Sequence, residues 1–210
     1  RNLSSSLRNA RPPRIAGNQA GQAAAVWVLN NGNNLVLQSA QLDNSTWGPT
    51  TRVNRLGENA AQPDVAMDGN GNARAVWVNS DGITEAVATA LYRREAAGWN
   101  TPLALSEPGI LPDTPRVAMN ATGQAVATWI SVAGNSRVLQ ARLLLDGNWS
   151  RVYQLSRSQE NASEPQVAIG PGGHVTVVWT SSLGSFSSIE SIHFENGQWT
   201  TVVPLTTMDG

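Results

Sequence analysis

The chain has 210 residues, a formal net charge of −1, 14% charged residues and no cysteine. The absence of cysteine excludes cysteine-based zinc sites and cysteine nucleophiles. All fourteen basic residues are arginine, and the absence of lysine excludes Schiff-base chemistry. The near-neutral charge lacks the basic footprint of a nucleic-acid-binding protein, and no apolar run reaches the length of a membrane span. We therefore expect no nucleic-acid partner, no membrane insertion, no cofactor and no metal.

Tryptophan recurs in two phased series along the chain. The first series is Trp27, Trp77, Trp129 and Trp179, and the second is Trp47, Trp99, Trp149 and Trp199. Successive members lie 50 or 52 residues apart, a period typical of propeller-like repeats. A proline opens each unit, and a glycine follows eight residues later in every case, as in Pro63 and Gly71. The length varies only between the two tryptophans of a unit.

Each unit is predicted to form four short strands. In the second unit they fall, in chain order, at 63–67, 73–78, 85–93 and 99–106, with a Gly- and Asn-rich turn at 68–72. No window has a helical period. The pattern predicts an all-β fold, a β-propeller of four four-stranded meander blades with repeats of about 50 residues. The blades fall at about 13–55, 63–106, 115–156 and 165–206 in a single domain over 1–210.

The repeated tryptophans are expected to hold the blades together. One sheet cannot cover both of its faces, so stacked blades would bury the rings between them, beside small alanine and valine side chains. Each indole N–H then needs an acceptor, which we expect to be a loop carbonyl at a blade edge.

The two ends of the chain are in phase with the repeat. Leu3 precedes Pro13 by the same ten residues that separate Leu105 from Pro115. Three arrangements remain open: four blades close alone, two chains form a larger ring as a homo-oligomer, or neighbouring blades are missing from this sequence. An open blade edge favours contact with another chain or with missing sequence, because it exposes unpaired backbone groups and apolar surface.

The segments 63–78 and 98–106, PDVAMDGNGNARAVWV and GWNTPLALS, resemble β-propeller repeats of secreted and cell-surface bacterial proteins that are often labelled sialidase-like. The resemblance covers all four units and implies a propeller fold and a secreted or cell-surface location in a bacterium. The Asp-box of true sialidases is not matched, because Asp68 lies nine residues before Trp77 rather than five. The only tyrosines, Tyr92 and Tyr153, fall in outer strands rather than beside a catalytic acid.

The variable loops provide the candidate binding surface. In a meander blade, the loops after the second and fourth strands share one face, and function tends to lie on variable loops held by a rigid scaffold. The candidate binding residues on these loops are Glu58, Asn59, Asp81, Asp113, Glu160 and Asn161.

Three functions compete. The leading hypothesis is a non-catalytic binding or scaffold module that recognises a glycan or a protein through these loops. The alternatives are a purely structural segment of a larger surface protein and a sialidase-like glycoside hydrolase. A hydrolase needs two carboxylates facing the axis, and Asp64 is the only acid so placed in any unit, so an enzyme is disfavoured.

Overall fold

Four antiparallel sheets follow one another along the chain, and each is a meander of consecutive strands. The computed structural model describes Leu3 and residues 9–206, and this part of the chain contains no helix. The fold is therefore an all-β propeller array of four blades, which confirms the fold predicted from the repeat period.

The strands occupy equivalent positions in each repeat. The first blade contains β1 (Arg14–Gly17), β2 (Ala23–Asn30), β3 (Leu35–Asp43), β4 (Thr46–Trp47) and β5 (Thr51–Arg52). The second contains β6 (Asn59–Met67), β7 (Ala73–Ser80), β8 (Glu85–Arg93), β9 (Gly98–Trp99) and β10 (Leu103–Ala104). The third contains β11 (Leu111–Met119), β12 (Ala125–Ala133), β13 (Ser136–Leu144) and β14 (Tyr153–Gln154). The fourth contains β15 (Asn161–Ile169), β16 (Val175–Leu183), β17 (Phe186–Glu195), β18 (Gln198–Trp199) and β19 (Val203–Pro204).

The outer strand of the second blade is broken into two pieces. The strands β9 and β10 both pair with β8, and they are separated by residues 100–102. The sequence pattern predicts one continuous strand over 99–106, and that prediction is wrong in this detail. The outer strands of the third and fourth blades are interrupted in the same way at residues 150–152 and 200–202, which contain no proline, so the break is a feature of the repeat.

The first strands of the last three blades carry a bulge just before the repeated proline. The register of β6 on β7 shifts between Ala61 and Asp64, where Gln62 has a φ of +50°. Thr114 and Glu164 repeat this conformation with φ of +44° and +51°. The strand begins at Asn59, ahead of the proline at which the sequence pattern starts it. The bulge takes the proline out of the paired register, so its missing N–H costs no ladder bond.

The blades are stacked in chain order. Their first strands lie side by side, with β1 against β6, β6 against β11 and β11 against β15, and so line a common axis. Within the described residues, β15 makes no comparable contact with β1. The first and last blades therefore each keep one face without a neighbouring blade.

The first tryptophan of each blade points back onto the preceding blade. Trp77 shares a buried cluster with Val26 and Leu37 of the first blade. The equivalent clusters seat Trp129 on the second blade and Trp179 on the third. All three rings are at most 1% exposed. The blade interfaces are therefore directional, with a projecting ring on one side and a branched apolar socket on the other.

Side-chain amides, rather than the expected loop carbonyls, accept the buried indole N–H groups of the first three blades. The bonds are Trp27–Gln38 (3.1 Å), Trp77–Asn79 (2.9 Å) and Trp129–Gln140 (2.9 Å). Gln38 and Gln140 lie directly opposite their tryptophans on the neighbouring strand, so the sheet register itself supplies the acceptor.

The second tryptophan series also faces the preceding blade. The Trp99 ring lies 5.7 Å from the Tyr92 ring, and its N–H donates to the Ser39 hydroxyl of the first blade at 2.7 Å. The Trp149 ring lies 5.2 Å from the guanidinium of Arg74 in the second blade. Each of the last three blades is thus tied to its predecessor by two tryptophan side chains.

The short turns that follow the first strands of neighbouring blades also contact one another. The Asn18 amide donates to the carbonyl of Asp68 in the next blade at 3.1 Å, and Asn120 donates to that of Gly170 at 3.1 Å. Asp68 has no side-chain N–H to donate, and there the backbone N–H of Gly69 donates to the turn of the third blade at 3.0 Å.

The geometry of these turns explains the repeated glycine. Gly71 and Gly123 have φ of +82° and +88°, which a residue with a Cβ atom adopts only under strain. The Asp68 carboxylate accepts the N–H groups of Asn70 and Asn72 at 2.9 and 2.8 Å. The oxygen-rich segment 68–72 is thus a capped turn.

Replacing Trp77 or Trp129 by alanine should destabilise the fold by about 3–5 kcal/mol, because each ring fills a closed interface between two blades. The midpoint of urea unfolding measures the loss. Leu56→Ala is the control, since that side chain is 88% exposed and its removal should leave the midpoint unchanged. Equal midpoints for all three variants and the parent would contradict an interblade role for the rings.

Candidate functional site

One edge of the propeller collects the loops that precede the first strands and the loops between the second and third strands. Here the start of each first strand meets the end of the second strand, as Asn59 pairs with Ser80 and Asn161 with Ser182. The six residues predicted from the sequence lie at or beside this edge: Glu58, Asn59, Asp81, Asp113, Glu160 and Asn161. Their role as ligand contacts stays a prediction.

The two glutamates of this set tie loops to their own blade. Glu58 accepts a hydrogen bond from the Asn79 amide at 2.9 Å. Glu160 accepts from the Ser181 hydroxyl at 2.7 Å and from Arg157 at 3.0 Å. The bond from Ser181, followed by that from Arg157, lowers the pKa of the Glu160 carboxyl. Both carboxylates thus anchor the loop that leads into a first strand.

The two asparagines of the set connect neighbouring blades. The Asn59 side-chain oxygen accepts the backbone N–H of Leu35 in the first blade at 2.8 Å. Asn161 accepts that of Arg137 in the third blade at 3.1 Å. Each bond holds the start of a first strand against the third strand of the preceding blade.

Asp81 caps its own turn between β7 and β8. It accepts the backbone N–H groups of Ile83 and Thr84 at 2.9 and 2.7 Å, and the bond from Thr84 is the main cause of the lowered pKa of Asp81. No hydrogen bond within the described residues joins Asp81 to the other five predicted residues.

Asp113 lies in a bridge across three blades. It accepts a hydrogen bond from Arg137 at 2.6 Å and one from Gln62 of the second blade at 2.9 Å. Burial opposes ionisation, but the bonds from Arg137 and Gln62 outweigh it and lower the pKa of Asp113. Since the backbone of Arg137 also bonds Asn161, this arginine brings two of the predicted residues together.

A second polar group lines the axis, one residue after each repeated proline. Its members, called the axial residues below, are Arg14, Asp64, Arg116 and Gln166. They occupy the same register, each opposite the residue that precedes the first tryptophan of its blade. Because the first strands lie side by side, four polar side chains of three types stand at one level of the axis.

Asp64 lies within the electrostatic influence of two axial arginines. Burial raises the pKa of the Asp64 carboxyl, and this outweighs the opposing effects of the Val117 N–H and of the positive charges of Arg116 and Arg14. The hydrogen bond from Val117 measures 3.0 Å and crosses from the third blade to the second. Arg14 and Gln166 are exposed, whereas Asp64 and Arg116 are half-buried.

Of the four axial residues, only Asp64 is predicted from the sequence to face the axis. Asp64 was singled out as an axial acid, but Arg14, Arg116 and Gln166 occupy the same place in their repeats. Reading the residue after each proline as a column would have found all four. The bulge residues Gln62, Thr114 and Glu164, with strained φ, lie two residues before this column, as local strain often does near functional sites.

One pair of carboxylates meets away from the axis, at Arg157. The Arg157 Nη1 atom donates to Glu160 at 3.0 Å and to Glu190 at 2.8 Å. Glu190 is only 2% exposed. Its second oxygen and the Trp179 N–H lack partners within the described residues. Such burial keeps Glu190 from a substrate, so these acids do not form a glycosidase pair.

Neither a metal-ligand cluster nor a membrane-spanning helix occurs in the described residues. Over Leu3 and residues 9–206, no group of three or more His, Asp and Glu side chains is arranged to hold a metal ion. The same residues include no helix that is long and apolar enough to cross a membrane. His193 contacts the Thr176 hydroxyl at 3.0 Å, which is an ordinary cross-strand hydrogen bond.

The array resembles solved propeller enzymes at low sequence identity. A Hadza microbial sialidase matches 91% of this chain and 46% of its own, with a TM-score of 0.64 and 12% identity. The GH93 α-L-arabinofuranosidase of Fusarium graminearum matches 91% and 64%, with a TM-score of 0.61 and 13% identity. The intramolecular trans-sialidase from Ruminococcus gnavus matches 98% and 73%, with a TM-score of 0.66 and 10% identity.

These likenesses establish the fold. The chain spans less than two thirds of the length of the first two structures. No protein-family model and no curated protein matches this sequence. The comparison therefore supports the propeller and leaves activity to be argued from the residues.

Replacing Asp113 by asparagine should lower stability at pH 7 and have a smaller effect at pH 3. The lowered pKa of Asp113 means that ionisation stabilises the folded state above the ordinary carboxyl pKa, and this stabilisation is lost as pH falls through the folded-state pKa. Melting temperatures at the two pH values measure the difference. The exposed Asp146→Asn is the control. A deficit that persists unchanged at low pH would contradict the ionic bridge.

Proposed function

We propose that the protein is a non-catalytic glycan-binding module of a bacterial surface or secreted protein, and that its ligand is a saccharide carrying a carboxylate. The observation that carries the proposal is the pair of arginines at the axis. Arg14 and Arg116 stand at the same register on either side of Asp64, in strands that lie side by side. Guanidinium groups recognise carboxylates through strong, paired hydrogen bonds.

The remaining axial groups suit the hydroxyls of a sugar. Gln166 offers an exposed amide that can donate and accept. Asp64 keeps one oxygen on the Val117 N–H and has a second oxygen for a hydroxyl donor.

The arrangement of the acids argues against hydrolysis. Glycoside hydrolases use two accessible carboxylates roughly 5–10 Å apart. Asp64 is the one acid among the four axial residues, while Asp113 is held in an ion pair and Glu190 is buried. The sialidase-like neighbours therefore support the choice of a glycan ligand, and the residues of this chain favour binding over turnover.

The test is a glycan array followed by calorimetry with an acidic oligosaccharide that binds. Arg14→Met and Arg116→Met should each weaken binding by about 10-fold or more, since a hydrogen bond to a charged group contributes about 1.5–3 kcal/mol. Arg93→Met is the matched control, because Arg93 is exposed at the far end of β8 and distant in the repeat from the axial column. The corresponding neutral oligosaccharide should bind weakly to every variant.

Three outcomes would overturn the proposal. Equal binding of acidic and neutral sugars would show that the arginines do not select the ligand. If no glycan on the array binds, a purely structural segment is favoured. Release of sugar from any glycoside, abolished by Asp64→Asn, would replace a binding module by an enzyme.

A further inference from the structure

Among the residues that the structure describes, no blade packs against the outer face of the first blade. Ile15 on this face is 66% exposed, although its equivalents Val65 and Val117 are only 6% and 7% exposed in the interior interfaces. Trp27 occupies the same position as Trp77, but it is only 4% exposed, because Leu3 and Trp47 pack against its cluster on the side where a preceding blade would lie. We call this surface, which also includes Trp47 and Arg11, the first-blade face.

A cavity of about 350 Å³ adjoins Trp27 on this face. Leu3 fills part of the space and shares the Trp27 cluster, as Val53 shares that of Trp77. The partners of Trp77 that have no counterpart around Trp27 are the branched side chains of the preceding blade, such as Val26 and Leu37. The cavity is the room that those side chains would occupy.

The fourth blade displays the missing socket. Ile189 is 38% exposed, whereas its equivalents Leu37, Val87 and Leu139 are fully buried. Leu205 is 58% exposed, whereas its equivalents in the other blades are at most 4% exposed: Val53, Leu105 and Leu155. We call the surface formed by Ile189, Leu205 and Glu164 the fourth-blade face. It is the half of the interblade contact that the first-blade face lacks.

The charges on the two faces are also complementary. Between the second and third blades, the Gln62 amide donates to Asp113 at 2.9 Å. The residue equivalent to Gln62 in the fourth blade is Glu164, one position before its proline. The residue equivalent to Asp113 in the first blade is Arg11, two positions before its proline. Docking the two faces as interior blades dock would place Glu164 against Arg11, an attractive pair.

We propose that two copies of this chain associate head to tail, with the fourth-blade face of one copy on the first-blade face of the other. The contact repeats the interface already present three times within the chain: Trp27 enters the Ile189 and Leu205 socket, and Glu164 meets Arg11. Leu205 of the second copy takes the position that Leu3 holds in the single chain. The contact is independent of sugar binding at the axial residues.

Over the residues that the structure describes, each copy presents one face of each kind. Two copies can therefore satisfy all four faces in a closed ring, while further copies would extend an open chain. In either case the mass grows with concentration above the 22.3 kDa of one chain.

Sedimentation velocity of the purified chain over a range of concentrations tests the association. Ile189→Asp and Leu205→Asp should each weaken it by about 10-fold or more, because they place a charge in the apolar socket. Both side chains are exposed in the single chain, so the variants should fold with unchanged melting temperatures. Ile83→Asp is the control, since Ile83 is 93% exposed in the β7–β8 turn, away from both faces.

A charge swap separates this contact from unspecific adhesion. Glu164→Arg and Arg11→Glu should each weaken association, and the double variant should restore it, because every head-to-tail contact then regains an opposite pair. Leu3→Ala should strengthen association by vacating the position of Leu205. A chain that stays monomeric at all concentrations would overturn the proposal. So would association that neither charge variant changes.

Discussion

The structure depends on the insertion of an indole ring from each blade into the blade before it. A four-stranded sheet has two faces and cannot bury either alone, so its stability comes from the neighbouring sheet. Trp77, Trp129 and Trp179 supply that contact, and the small residues beside them, such as Ala75 and Ala127, leave room for the rings. Because the rings all point the same way, every interior interface has the same chemistry and the same orientation.

This constraint explains why the fold could be predicted from the sequence. The residues that meet across a blade interface must recur at a fixed spacing, so the proline, the turn glycine and both tryptophans repeat together. The details that escaped prediction depend on contacts outside one unit. The bulge at Gln62 joins the second blade to the third through Thr114 and Asp113, and no period within a single unit reveals it.

The candidate site was harder to predict for a related reason. Polar loop residues attract attention in a sequence, but Asn59, Asn161 and Asp113 use their side chains to connect blades. Arg14, Arg116 and Gln166 were not predicted because the axial position holds arginine, aspartate, arginine and glutamine in the four units, and a search for repeated motifs discards such variation. In this repeat protein the residues that recur in every unit hold the blades together. The candidate binding residues instead occupy a position, one residue after each proline, whose identity changes between units.

The one-way orientation of the interfaces also bears on how such chains evolve. A gene segment encoding one unit, from proline to proline, carries both a ring side and a socket side. Duplicating that segment inside the array adds a blade with a tryptophan on one face and an apolar socket on the other, which is the pairing that recurs at each interior interface. Deleting one unit likewise brings a tryptophan face against an apolar socket. Recombination between units can therefore change the number of blades while keeping a tryptophan against a socket at each interface. Each added or deleted blade also adds or removes one axial residue.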